Sequence, residues 1–170
     1  MTGPDGKPNY ASILESAYGQ QHPGGALGSG KDNGISGGWP NEAAQDLTNN
    51  PATDVSGQAG YSSNERKEII NAANSSNPVT AETETAPPEN FPNDDKAEVG
   101  VTLPSGEKTN IELYHGHAYM VVGADQNGVT LANPHGYNYD ESGRKVDETF
   151  TMSWEDYEKY YGSTTIGSVK

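Results

Sequence analysis

The sequence predicts an α+β protein: short helices first, then a twisted antiparallel β-sheet. Three observations carry this. Apolar residues recur at helical spacing in the first 77 residues, and beyond Asn77 the period changes to two. The 21 Gly and 11 Pro punctuate the second half into short runs of strand length. Helices followed by a run of strands argue for segregated α+β rather than alternating α/β architecture. We therefore expect a helical and loop segment over 1–77 and an antiparallel β subdomain over 78–170.

Each element has its own signal. In "YASILESAYGQ" Ile13, Leu14, Ala17 and Tyr18 form one helical stripe, with Ser12 as N-cap and Gly19 as stop. Residues 20–40 are Gly-rich and read as loop. "NEAAQDL" reads as a short helix capped by Asn41, with Ala44 and Leu47 facing inward, and 49–60 reads as loop. "SSNERKEIINAAN" is the best helix in the chain, with Ser at its start, Glu65 early, then Ile69, Ile70, Ala72 and Ala73. "PVTAETET" is β-like. Residues 86–98 ("APPENFPNDDKAE") read as an exposed, poorly ordered excursion. "GVTLPSGEKTNIEL" reads as two short strands around Pro104-Ser105-Gly106, and "YNYDESGRK" as a polar excursion. In the closing stretch Trp154, Tyr157 and Tyr161 mark a short helix before a last strand.

Composition excludes several functions. Only 31% of residues are hydrophobic, so the core must be small. There is no cysteine, which excludes disulfides, thiolate metal sites and a cysteine nucleophile within this chain. The net charge of −14 repels phosphate backbones and anionic membranes, so neither nucleic acid nor membrane is an expected partner. No apolar run is long enough to span a bilayer, and the N-terminus carries no signal-peptide apolar region. Compartment stays open between cytoplasm and secretion.

The stretch "HGHAYMVVGADQNGVTLANPHG" concentrates the candidate chemistry. His117, Tyr119 and Val121 share one face of a strand, and Val129, Leu131 and Asn133 share one face of the next. The connection decides whether His117 and Asn133 meet. A two-residue Asn127-Gly128 turn places them on opposite faces. A three-residue loop, Gln126-Asn127-Gly128 with Gly128 left-handed, pairs Val121 with Asn133 and places them on one face, some distance apart along the ladder. His115 and His117 on one strand face, with His135, form a candidate zinc set without a third ligand of fixed spacing. Ser36 before Trp39 is a weak nucleophile candidate. The acids of "PENFPNDDKAE" lack the regular spacing of a calcium loop.

Several motifs in order resemble one family. "GHAYMVVGADQNGVTLANPHG" is similar to the second half of a papain-like cysteine peptidase, most closely the calpain branch. "SILESAYGQ", "GGWPNEAAQDLT" and "DETFTMSWEDYEKYYGSTTIGSV" resemble the flanking calpain segments. The resemblance implies a papain-like second subdomain over 78–170, with 1–77 holding the end of the first subdomain and the linker. It implies that His117 is the general base and Asn133 its orienter, acting on a protein or peptide substrate. It further implies that the nucleophilic Cys belongs upstream of the "SILESAYGQ" match, so a Cys-bearing subdomain must be supplied in cis or in trans. His135 stands where the family has a Trp shielding the Asn–His hydrogen bond. Asp147 matches one family calcium ligand, while Thr149 stands where a second acid is expected. The alternative is a non-catalytic binding or effector domain of the same fold. With a calpain-like active site in view, His117 and Asn133 are expected on one face, and Gly128 with positive φ.

Overall fold

The structure is a computed structural model that describes residues 39–57, 60–93 and 95–169. The chain divides into Met1–Ala43 and Ala44–Lys170. The helix expected over 10–20, the loop over 20–38 and Ser36 lie outside the described residues.

The described residues form an α+β fold. Its helices are α1 (Pro40–Thr48), α2 (Ser63–Ala73) and α3 (Trp154–Tyr160), with one 3₁₀ turn at Pro88–Asn90. Its strands are β1 (Thr53–Ser56), β2 (Val79–Glu82), β3 (Lys96–Thr102), β4 (Lys108–Tyr114), β5 (Ala118–Ala124), β6 (Gly128–Ala132), β7 (Asn138–Tyr139), β8 (Lys145–Val146), β9 (Thr149–Ser153) and β10 (Ser163–Ile166). Eight of them make one open antiparallel sheet in the order β1-β10-β2-β5-β6-β9-β3-β4, and β7 and β8 pair separately. Among the described residues no helix is long and apolar enough to cross a membrane.

The local signals act as read in α2. Ser62 accepts from Glu65 N and the Glu65 carboxylate accepts from Ser62 N, a reciprocal capping box. Ile69 and Ala72 are buried, and Ile70 and Ala73 pack against the same core. Asn74 at the C-cap donates from Nδ2 to Ala124 O at 2.7 Å and ties the helix to the end of β5. The β3–β4 hairpin turns at Gly106, whose φ of +86° suits glycine.

Five expectations need correction. Leu47 does not face inward but is 62% exposed, and Asn41 lies inside the first turn of α1 rather than before it. Residues 53–56, read as loop, form β1, because pairing with β10 supplies what the polar sequence TDVS lacks. Thr165 donates to Asp54 Oδ1 across that pair at 2.6 Å. Residues 86–98 are not a solvated excursion, since Ala86, Phe91 and Ala97 are buried and β3 begins at Lys96. "YNYDESGRK" is the β7–β8 hairpin, closed by Asp140, which accepts from the Ser142 hydroxyl, Ser142 N, Arg144 N and Arg144 Nε. Those donors hold its carboxyl down to about 2, the Ser142 hydroxyl foremost.

Tyrosines make up for scarce aliphatics in the core. Tyr61, Tyr119, Tyr157, Tyr160 and Tyr161 are buried with Trp154, Phe91 and Phe150. A buried hydroxyl needs a partner. Tyr157 and Thr164 hydroxyls lie 2.6 Å apart, Thr164 and Tyr61 hydroxyls 2.9 Å apart, and Tyr61 donates to Tyr161 O. A carbonyl only accepts, so the chain runs from Tyr157 through Thr164 and Tyr61 to that oxygen. Burial pushes the Tyr61 phenol up to about 12.

Gly128 also departs from expectation. Its φ lies outside the left-handed region. A Cβ at Gly128 would stand 2.1 Å from Met152 O, so glycine is required for the close approach of β6 to β9 rather than for the turn. Gly128→Ala should lower stability by about 3 kcal/mol, as overpacking against a backbone does, read as a shifted urea midpoint. An unchanged midpoint would show that β9 can move away freely.

Candidate active site: the His117–Asn133 pair

The connection between β5 and β6 is Asp125, Gln126 and Asn127. Asp125 N donates to Gly128 O at 3.0 Å, and Asp125 Oδ1 accepts from Asn127 N and Gly128 N. Neither loop expected from sequence occurs. From this turn the ladder begins with Ala124 opposite Val129 and Gly123 opposite Thr130. Unbroken, that register would set Asn133 opposite Met120, whose side chain points away from the core. The register instead shifts between Val121 and Gly123, and Val121 then faces Leu131 and Met120 faces Ala132. Val122 is the extra residue of a β-bulge and is 50% exposed. One step further on, Asn133 lies opposite Tyr119, on the face that His117 shares.

The pair is in direct contact. His117 Nε2 lies 3.2 Å from Asn133 Oδ1, and Asn133 is buried. His117 is held through its backbone by Thr83. The Thr83 hydroxyl accepts from His117 N at 2.9 Å and donates toward Tyr114 O and His117 O. Thr83 N also donates to His117 O. Gly116, at φ +70°, makes the turn that delivers His117 into β5. Asn133 is fixed from its other side. Its backbone N donates to Glu148 O, its Oδ1 accepts from His135 N, and its Nδ2 donates to Asn138 Oδ1 at 3.1 Å. Asn138 is buried, and its Nδ2 donates to Asp147 O and Glu148 O. Neither Thr83 nor Asn138 has a signal in the sequence, because both act through tertiary hydrogen bonds.

The remaining candidate residues separate. The His135 ring packs 4.7 Å from that of His117, and His135 itself is exposed. His115 and His117 both lie in the β4–β5 connection rather than on one strand face, and the His115 ring packs against Phe91, near Ala86 O, so the candidate zinc set does not assemble. Asp147 is exposed, and its Oδ1 accepts from Thr149 N at 2.8 Å. Among the described residues no group of three or more His, Asp or Glu side chains is placed to hold a metal. A cleft of about 530 Å³ lies among Gly100, Lys108, Asp125, Gly128 and Asp156, at the turn end of the β5–β6 ladder and away from the pair. Its size does not make it the site, because it contains no imidazole.

The sequence matches no protein-family model and no curated protein.

The site can hold and move a proton. Burial lowers the His117 pKa, with the neighbouring His135 adding to it, against the Asn133 hydrogen bond that raises it. His117 is therefore a neutral imidazole at neutral pH. Among the described residues its Nδ1 has no hydrogen-bond partner.

A depressed folded pKa has a definite linkage sign. The stability from neutral His117 is complete above the unfolded value of about 6.5 and is lost as pH falls through the folded value. Glu82 acts oppositely. Burial, with Asp54 beside it, raises its carboxyl to about 6, and the stability linked to its protonated form is lost as pH rises through that value. Comparing the wild type with His117→Gln separates the two. Between about pH 8 and about pH 5 the wild type should lose more stability in urea unfolding than the variant. Parallel pH profiles would show that His117 is not desolvated.

Proposed function

We propose that this chain supplies the base and orienter of a calpain-like, papain-fold cysteine endopeptidase whose nucleophile lies on another segment. The observation that carries the reading is the 3.2 Å bond from His117 Nε2 to buried Asn133 Oδ1. A thiol needs a base to remove its proton, and the base needs a third group to hold its tautomer and angle. His117 is neutral at working pH, anchored through its backbone, and bonded at one nitrogen to an amide. Its other nitrogen is the one for the thiol. A neutral amide suits a thiolate–imidazolium pair, which already carries its own negative charge.

Two departures bear on the reading. With no cysteine in the sequence, the chain by itself cannot form the thioester acyl-enzyme of a cysteine peptidase. Where the family has a shielding Trp, His135 packs its ring against His117 instead. Calcium is not part of the reading, since the exposed Asp147 carboxylate has no second acid beside it at Thr149. The second reading, a non-catalytic binding or effector domain of the same fold, is favoured by the missing cysteine. A Gly-x-Cys-Trp helix start encoded in frame upstream would favour the peptidase.

The test is hydrolysis of an unfolded protein substrate. The chain alone should give none. Completed with the Cys-bearing subdomain, it should cleave, and His117→Ala should lower kcat/KM by about 100-fold or more, with Asn133→Ala costing less. Turnover by the chain alone that survives a thiol-alkylating reagent would overturn the peptidase reading. A completed protein indifferent to His117→Ala would move it to the binding domain.

A further inference from the structure

We propose that Asn138 is a positioning residue that sets the tautomer of His117 through the orientation of the Asn133 amide. This rests on the reading of His117 as a base, but its geometry stands without a nucleophile. The backbone carbonyls of Asp147 and Glu148 can only accept hydrogen bonds. Both receive the Asn138 Nδ2, so Asn138 Oδ1 must point the other way. That oxygen takes the Asn133 Nδ2 at 3.1 Å, so Asn133 Oδ1 must face His117. An amide oxygen cannot donate. The proton on the facing nitrogen therefore belongs to His117 Nε2, and Nδ1 keeps the lone pair that a base needs.

The β7–β8 hairpin is the strut that holds this chain of bonds. Asn138 is the first residue of β7 and pairs with Val146. The Asp140 turn closes the hairpin, and a bridge from Asp140 to Ile111 attaches it to β4. Lys145 lies 3.6 Å over the Tyr137 ring on the same hairpin. His135 N also donates to Asn133 Oδ1, but it sits at an exposed corner where water can replace that partner. The Asn138 contact is buried, so losing it leaves a buried amide without its partner. A flipped Asn133 amide would set its oxygen against Asn138 Oδ1. With Leu at position 138 that opposition disappears. The two amide orientations then become close in energy, and His117 can take either tautomer.

The test reads the tautomer directly, on the chain as it is, from the side-chain nitrogen resonances of His117 at alkaline pH where the ring is neutral. In the wild type Nε2 should be pyrrole-like and Nδ1 pyridine-like. A wild type with the proton on Nδ1 overturns the proposal without any variant. In Asn138→Leu both signals should move toward their common average, while an unmoved Nε2 signal overturns it. The double variant Asn133→Asp/Asn138→Leu should restore the pyrrole-like Nε2, because a carboxylate accepts through either oxygen and needs no orienting. Failure to restore it means that Asn138 acts by packing alone. None of these outcomes depends on peptidase activity, so the proposal and the catalytic reading fail separately.

Discussion

One unpaired residue, Val122, decides which side of the sheet Asn133 faces. Side chains in a strand alternate, so a register shift of one residue moves every later side chain to the other face. The Asp125–Gly128 turn starts the β5–β6 ladder in a register that would point Asn133 away from His117. The bulge at Val122 resets it before the ladder reaches the pair. Everything at the site follows: the contact between His117 and Asn133, the burial of Asn133 and its access to Asn138. The bulge lies just beyond the β2–β5 ladder, which ends at Met120, and within the β5–β6 ladder, which pairs on either side of it.

The rest of the fold keeps that arrangement rigid with little aliphatic mass. The aromatic cluster of Tyr61, Tyr119, Tyr157 and Tyr161 lies beneath the pair, with Tyr119 in edge contact with the His117 ring at 4.7 Å. A phenol buries as much surface as a large aliphatic residue, but its hydroxyl must be satisfied. The run from Tyr157 through Thr164 and Tyr61 to a carbonyl does this for two of the four rings. A chain with 31% hydrophobic residues can build a core this way because its tyrosines join α2, α3 and β10 at once.

Much of this was legible in the sequence where the cause is local. The capping box at Ser62 and Glu65, the hairpin around Gly106 and the alternation through Tyr119 and Val121 each depend on residues a few positions apart. The face shared by His117 and Asn133 was expected from a three-residue loop with a left-handed Gly128, with strand twist or a bulge closing the remaining gap. The structure has the bulge, but neither that loop nor that Gly128 conformation. Nothing in "YMVVGA" marks Val122 as the extra residue, because the two registers that meet there are set by pairing with β6. Gly128 read as a turn glycine because the carbonyl of Met152 that it must admit is 24 positions away. Strand β1 was missed because a four-residue polar strand exists only through its partner. Thr83 and Asn138 were missed because their work is done by tertiary hydrogen bonds, Thr83 to the backbone of Tyr114 and His117, Asn138 to the backbone of Asp147 and Glu148 and to the Asn133 side chain.

On the proposed reading, His117, held by this network, takes a proton from a thiol presented at Nδ1. The most direct measurement is the pH dependence of alkylation of the cysteine in the completed protein. With wild-type chain, alkylation should persist well below the free-thiol value of about 8.5, because an adjacent imidazolium stabilises the thiolate. With His117→Ala the profile should return to that of a free thiol. A profile that is the same with and without the His117 imidazole would contradict the account.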